Sequence, residues 1–287
     1  MPGAPGLGML TGATRLAVWG DPIDHSLSPR LHAAAYHALG LDWEYGRRQV
    51  DAAGFDGALA GLDSAWRGLS LTMPLKRAAF EAAAVRDHRA ELSGAVNTLL
   101  LDPDGPRGFN TDVGGMARDL RTHGFASVDV VRIVGAGATA TSALLAVAEL
   151  GATAVEVATR RANAADGLIA LGARIGVHVG AVAMDASEHA RVPLTIATLP
   201  GAAALPAAVA DALAAGGGLL YDVVYGPWPT DLARAWERVG APAVAGRGML
   251  TEQALLQVRI FVHGDPTAPL DHEAAVLTAM REAVSGA

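Results

Sequence analysis

One turn constrains this chain more than any other stretch of it. Val128 to Val134 reads as a buried parallel strand. Gly135-Ala136-Gly137-Ala138-Thr139-Ala140 follows it directly, and Thr139 to Leu150 reads as a helix closed by Gly151. A G-x-G-x-x-(G/A) match carries weight only in this strand–turn–helix setting. There the first glycine permits the tight turn and the second lets backbone approach a pyrophosphate. Ala140 is small enough for the helix to pack closely on the strand. The helix start adds unpaired N–H groups and the positive end of its dipole. The sequence therefore predicts a dinucleotide site on Gly135, Ala136, Gly137, Ala138 and Thr139.

The next strand, Ala154 to Thr159, selects the cofactor. NAD sites place an acidic residue at its end for the ribose 2′-hydroxyl. Here the strand ends in Thr159-Arg160-Arg161, and Glu156 falls inside it. Guanidiniums suit a 2′-phosphate through charge-assisted, often forked hydrogen bonds, so NADP is favoured over NAD.

At 287 residues the chain is long enough for two domains. Upstream of the turn, strands are expected at Arg15 to Trp19, Trp43 to Val50 and Trp66 to Met73, with Ala95 to Leu101 extended and a turn at Asp102 to Gly105. Helices are expected at Pro29 to Leu39, with Ser28 as a plausible N-cap and Gly40 beyond its end, and at Leu75 to Ala84. This β-α-β-α order is that of a parallel sheet with helical crossovers. Downstream, Leu194 to Thr198 and Leu219 to Val224 are further strand candidates. The two series meet near Asp112 to Arg118, and the last helical stretches, Thr251 to Val262 and Ala268 to Ala283, are free to pack back on the first.

Charge and composition narrow the class. A net charge of −7 without a basic stripe speaks against nucleic-acid binding. No apolar run reaches the ~18 residues of a membrane span, and Met1 to Thr14 does not read as a signal peptide. The chain has no cysteine, which excludes disulfides and thiolate metal sites. The histidines lack metal-ligand spacing, so no metal is expected. A cytoplasmic enzyme fits these facts.

Of the 22 basic residues only Lys76 is lysine. Guanidinium cannot lose a proton near neutral pH and ammonium can, so the sole lysine is a candidate for proton transfer, with chance survival the alternative. It lies in Ser70-Leu-Thr72-Met-Pro74-Leu-Lys76. Two other polar segments sit at predicted strand ends: Gly20-Asp-Pro-Ile-Asp-His-Ser26-Leu-Ser28-Pro29, and Gly94-Ala-Val-Asn97-Thr98 with Asn110-Thr-Asp112 beyond it. Later come Tyr221-Asp-Val-Val-Tyr225-Gly-Pro-Trp-Pro-Thr230 and Gly246-Arg-Gly-Met-Leu-Thr-Glu-Gln253-Ala254. With these segments, in this order and over nearly its whole length, the chain resembles the shikimate dehydrogenases.

The resemblance implies reversible NADPH-dependent reduction of 3-dehydroshikimate to shikimate, in chorismate and aromatic amino-acid biosynthesis. It implies an α/β protein of two domains with an inter-domain cleft: a substrate-binding domain over residues 1–113, completed by helices in 247–287, and a Rossmann-type NADP-binding domain over 114–246. Lys76 and Asp112 match the family's catalytic pair. Ser26 and Ser28 match its carboxylate ligands, and Thr72, Asn97, Tyr225 and Gln253 match further substrate positions. Thr198, Val223 and Gly246 match positions around the cofactor. The small-molecule substrate would be the partner of a monomer or homodimer.

Four positions depart from the family pattern. Ser70 stands in place of Asn, Ala138 in place of a second consecutive Gly, Arg161 in place of Thr, and Ala33 in place of Asn. None removes a catalytic group, but Ser70 and Ala138 bear on affinity and substrate range. A quinate/shikimate or aminoshikimate dehydrogenase is therefore the alternative within the fold. A nucleotide-binding regulator without catalysis is the alternative outside it.

Overall fold

The structure of the chain, a computed structural model, describes residues 14–201, 203–216 and 218–285. The stretch read above as lacking a signal peptide lies outside the described residues up to 13. The first series runs β1 (Thr14–Gly20), α1 (Ser28–Ala38), β2 (Trp43–Gln49), α2 (Phe55–Ala60), β3 (Trp66–Leu71), α3 (Lys76–Ala82), β4 (Val85–Arg86), α4 (His88–Ser93), β5 (Thr98–Asp102) and β6 (Gly105–Phe109). The second runs α5 (Thr111–Thr122), β7 (Val130–Val134), α6 (Ala138–Glu149), β8 (Ala154–Thr159), α7 (Asp166–Ile175), β9 (His178–Ala183), β10 (Leu194–Ala197), α8 (Ala207–Ala215), β11 (Leu219–Asp222), α9 (Asp231–Arg238) and β12 (Ala243–Ala245). Two helices close the chain, α10 (Arg247–His263) and α11 (Glu273–Val284).

These elements form two compact units. One takes the described residues up to Ala90, Gly94–Phe109, and those from Gln257 onward; the other takes Glu91–Ser93 and Asn110–Leu256.

The first unit holds a six-stranded sheet in the order β2-β1-β3-β5-β6-β4. β1 pairs parallel with β2 and β3, whereas β5 runs antiparallel to both β3 and β6. The expected parallel sheet is thus mixed. The tight turn at Pro103-Asp104 joins neighbouring strands, and two residues can connect only antiparallel ones. Trp19, Phe55, Leu69, Leu75, Val96 and Leu99 fill one core of this unit. α11 packs on α1, and the Arg259 guanidinium forks onto Glu273 at 2.6 and 2.5 Å, tying α10 to α11. Ser28 is not the N-cap of α1. Leu27 takes that place, without side-chain capping, because Ser28 already has helical geometry.

The second unit holds a parallel sheet in the order β12-β11-β10-β7-β8-β9. Counted from β7 this is 3-2-1-4-5-6, the doubly wound dinucleotide-binding order. Its direction of winding reverses between β7 and β10, so the loops after those two strands open side by side. Arg132, in the middle of β7, is wholly buried. It stands in register with Glu156 on β8, and its Nε donates to that carboxylate at 2.6 Å.

Candidate active site

In the first unit, the carboxyl ends of parallel β1 and β3 and the amino end of antiparallel β5 meet at one end of the sheet. Gly20, after β1, lets two loops approach: a Cβ there would stand 2.4 Å from Thr72 Cγ2. Backbone bonds hold the loops together, from Asp21 N–H to the Met73 carbonyl at 2.9 Å and from Thr72 N–H to the Trp19 carbonyl at 3.0 Å. Lys76 opens α3, and its carbonyl accepts from Val96 N–H at 3.0 Å. Asn97 is buried, donating its N–H to the Phe109 carbonyl at 3.0 Å and giving its carbonyl to Leu71 N–H at 2.8 Å. Ser26 accepts the Ser28 N–H on Oγ at 3.3 Å. Ser26, Ser28, Thr72, Lys76 and Asn97 therefore all lie on the loops and helix starts at this one sheet end.

The second unit carries the rest. Gly135 sits at φ +108°, where only glycine is at ease, and a Cβ would stand 2.6 Å from Thr198 Oγ1. Thr198 donates that hydroxyl to the Val134 carbonyl at 3.0 Å, so it braces the turn from behind. A Cβ on Gly137 would meet nothing within 4 Å, and no side chain caps α6 there. The turn therefore offers backbone N–H groups with open space in front, as a pyrophosphate requires. Thr159 is buried and donates its hydroxyl to the Arg161 carbonyl at 2.9 Å. It fixes the bend that presents exposed Arg160 and Arg161. Arg160 edges a recess of about 550 Å³ walled by Met184, Leu199, Pro206 and Val209. These residues fit a dinucleotide that carries a 2′-phosphate. Glu156, turned to Arg132 inside β8, takes no part.

Asp112 is buried in the first turn of α5, its N–H bonded to the Asn110 side chain at 3.1 Å. Asn110 also donates to Ser93 at 2.9 Å and to Ser142 at 3.3 Å, so in Asn110-Thr-Asp112 the first residue builds the helix start. Asp222 and Thr230 do similar work after β11. Asp222 accepts from the Thr230 hydroxyl at 2.7 Å and from Val224 N–H at 3.1 Å, while Thr230 caps α9. The loop bearing Tyr225 is clamped at both ends, and burial raises the Tyr225 pKa. Gly246 touches Val223, whose carbonyl would stand 2.2 Å from an added Cβ. Gln253 is buried on α10, accepting from Thr111 at 3.3 Å and donating to the Leu250 carbonyl at 2.8 Å. The bare Gly115 backbone lets α5 pass that close, since a Cβ would stand 2.6 Å from Gln253 N. Sequence reasoning missed Asn110, Asp222 and Thr230 as builders of the site, although each lies inside a motif it had singled out.

A doubly wound sheet with a glycine turn and paired arginines, in a chain whose other sheet end gathers lysine, serine, threonine and asparagine, defines a dinucleotide-dependent oxidoreductase of small polar molecules. Residues 18–99 match the family model for the shikimate dehydrogenase substrate binding domain. A shikimate dehydrogenase (NADP(+)) of Alkalilimnicola ehrlichii is 37% identical over 245 residues, covering 84% of this chain and 90% of that one. The crystal structure of Mycobacterium tuberculosis shikimate dehydrogenase superposes with a TM-score of 0.81 at 37% identity, over 94% of this chain and 99% of that one. The Thermus thermophilus shikimate 5-dehydrogenase, solved in complex with NADP(H) and shikimate, gives 0.76 at 30% identity over 94% and 99%. The chain belongs to the shikimate dehydrogenase family. Among the described residues no helix is long and apolar enough to cross a membrane.

Proposed function

We propose that this chain is an NADP-dependent shikimate dehydrogenase, reversibly reducing 3-dehydroshikimate to shikimate. The observation that carries the reading is the place of its only lysine. Lys76 opens α3, backbone-bonded to the segment that bears Asn97, at the sheet end where Thr72, Ser26 and Ser28 also lie. Family membership supports reading that sheet end as the substrate side, and the Gly135 turn with Arg160 and Arg161 as the cofactor side.

NADP, when bound, supplies or takes the hydride. The chain's residues do the rest. Ser26 and Ser28 bind the substrate carboxylate, and Thr72, Asn97 and Gln253 its hydroxyls. Tyr225, whose pKa burial raises further, donates a hydrogen bond. As hydride reaches the ketone carbon, charge builds on oxygen; the Lys76 ammonium stabilises that charge and supplies the proton, a task it shares with Asp112. Arg160 and Arg161 hold the 2′-phosphate. Gly135 to Thr139 cradle the pyrophosphate, and Thr198, Val223 and Gly246 shape the remainder of the cofactor site. The enzyme works in the cytoplasm as a monomer or homodimer.

The test is a kinetic matrix of shikimate, quinate and an amino analogue against NADP and NAD. The expected result is highest kcat/KM for shikimate with NADP. Best turnover on quinate with NAD would overturn both assignments, and tight NADPH binding without turnover of any substrate would make the chain a regulator.

A further inference from the structure

Asn97, assigned above to a substrate hydroxyl, carries an amide whose two ends are alike in shape and opposite in hydrogen bonding. Which end faces the substrate decides what the residue can recognise. The buried side chains around it fix the answer, starting from a backbone carbonyl that can only accept. Gln257, on α10, places its Nε2 3.2 Å from the Asn97 carbonyl and 3.0 Å from Thr98 Oγ1. Nε2 therefore donates both of its protons, and Oε1 accepts. Oε1 receives Ser70 Oγ at 2.8 Å and His32 Nε2 at 3.1 Å. With its Nε2 donating, neutral His32 keeps Nδ1 as an acceptor for the Tyr36 hydroxyl at 3.0 Å. Ser70, having given its proton to Gln257, accepts from the Tyr45 phenol at 2.6 Å. Each of these protons has one acceptor, and the Gln257 amide has one orientation.

Thr98 passes that orientation on. Its buried hydroxyl accepts from Gln257, whose Nε2 cannot take a proton in return. The Thr98 proton goes to the Asn97 side chain 2.9 Å away, and the atom that receives it is Oδ1. A flipped Asn97 would aim a second N–H at Thr98 and leave the hydroxyl proton without an acceptor. The Asn97 main chain is held too. Its N–H donates to the Phe109 carbonyl at 3.0 Å, and its carbonyl accepts from Leu71 N–H at 2.8 Å beside Gln257.

We infer that Thr98 and Gln257 are positioning residues that hold the Asn97 amide oxygen inward, so that Asn97 meets the substrate as a hydrogen-bond donor. The substrate oxygen at that place must accept. Thr98 acts through Asn97, so its loss falls on binding and leaves the chemical step alone. Ser70, standing where the family pattern has Asn, pins the Gln257 end of the same set.

This rests on reading Asn97 as a substrate ligand, and the experiment separates the two. Initial rates with shikimate and NADP are compared for the wild type, Thr98→Val, Thr98→Ser, Asn97→Ala, Asn97→Asp and the Thr98→Val, Asn97→Ala double variant. Valine keeps the shape of Thr98 and loses the hydroxyl; serine keeps the hydroxyl and loses the methyl. A role in packing alone makes serine the worse of the two. Thr98→Val is expected to raise the KM for shikimate roughly three- to tenfold, with kcat and the KM for NADP within about twofold, and Thr98→Ser to stay near wild type. In the double variant Thr98→Val is expected to add nothing to Asn97→Ala. Asn97→Asp keeps an inward oxygen for Thr98 and puts an acceptor where the amino group stood, so its shikimate KM is expected to rise at least as far as that of Asn97→Ala. An unchanged shikimate KM in Thr98→Val, a serine variant as impaired as the valine one, additive losses in the double variant, or a wild-type KM in Asn97→Asp would overturn the inference. Should Thr98→Val fail to fold, Thr98→Ala is measured against Thr98→Ser with the same expectation and the same overturning results. If Asn97→Ala keeps the wild-type KM, or the wild type does not turn over shikimate, the reading of Asn97 fails and the inference falls with it. A raised KM in Asn97→Ala beside an unchanged one in Thr98→Val defeats the inference alone.

Discussion

Lysine and arginine carry the same charge, and at Lys76 the difference between them is the whole argument. Ammonium can give up its proton to a developing alkoxide; guanidinium stays charged at any pH the protein meets. Lys76→Ala is expected to lower kcat by roughly 10²- to 10⁴-fold, read from NADPH formation with saturating shikimate; wild-type turnover would rule out the role. Lys76→Arg asks how the residue acts. It keeps the charge and loses the proton, so near-complete loss of kcat assigns proton transfer to Lys76, whereas substantial retained activity assigns it to Asp112. The arginines at the end of β8 make a separate test. Arg160 is exposed and held on a bend anchored by Thr159. Arg160→Ala is expected to weaken NADPH by roughly 10- to 100-fold, the scale of a charged hydrogen bond, while moving NADH little. Equal losses for both would place the 2′-phosphate elsewhere.

At the level of the elements, α1 and β7 hold their functions by unlike means. α1 carries His32, fully enclosed between Tyr45 and Gln257, and burial lowers its pKa from 6.5 to about 3 despite the Gln257 hydrogen bond. Unfolding lets it bind a proton that the folded state refuses. Its contribution to stability is complete above pH 6.5 and is lost as pH falls toward 3, by at most about 1.4 kcal/mol per pH unit. Urea unfolding of the wild type and of His32→Gln between pH 4 and 7 checks this: the variant is expected to show the shallower slope, and parallel curves would mean that His32 does not titrate on unfolding. At the end of β7 the constraint is steric. Gly135→Ala forces a Cβ against Thr198 Oγ1 at positive φ. It is expected to abolish NADP binding, by calorimetry, before it abolishes folding.

The legible elements were those with a plain local signal. β8 was read to the residue, and β1, β7 and β10 to within a residue or two, because buried parallel strands are apolar runs. β6 was missed: Gly105-Pro-Arg-Gly-Phe109 has neither alternation nor branched residues, and it is a strand only because β5 turns back beside it. The helices α2 and α4, six residues each, are too short to show a period, and α8 is nearly all alanine; α7 and α9 went unassigned although α9 buries Leu232, Ala233, Ala235 and Trp236 on one face. The Ser28 cap failed at the same scale, since Ser-Pro reads as a helix start one residue later than the backbone makes it. Among site residues, Lys76, Asn97, Asp112 and Gly135 stand in contiguous motifs and were legible there. The bonds of Ser70 to Tyr45 and Gln257 were not, because Ser70 lies 25 residues from one and 187 from the other.

For the whole molecule, what matters is that each unit has its own sheet and its own packed interior. The groups proposed for NADP sit on the second unit. Of the groups proposed for shikimate, Ser26, Ser28, Thr72, Lys76 and Asn97 sit on the first, and Asp112, Tyr225 and Gln253 on the second. A ligand that binds only folded protein stabilises what it contacts by RT ln(1 + [L]/Kd), about 2.7 kcal/mol at a hundredfold excess over Kd. Hydrogen exchange reports that gain locally, since protection follows the opening of each cooperative region. NADP alone is expected to slow exchange around Gly135–Ala140, Thr159–Arg161 and the β7–β10 core, leaving Ser26–Ser28 and Val96–Thr98 near their ligand-free rates. Shikimate alone is expected to protect Ser26–Ser28, Thr72–Lys76 and Val96–Thr98, with the glycine turn unchanged. Helix α10 supplies the sharpest reading, because the boundary between the units falls between Leu256 and Gln257. Gln253 lies on the second-unit side as a proposed substrate ligand, and Gln257 on the first-unit side, donating to the Asn97 carbonyl and accepting from Ser70. Shikimate should therefore slow exchange across both halves of that helix, and NADP only across its amino-terminal half. Equal protection of the whole helix by NADP alone would show that the two units open as one, and the confinement of NADP's stabilising effect to the second unit would fail.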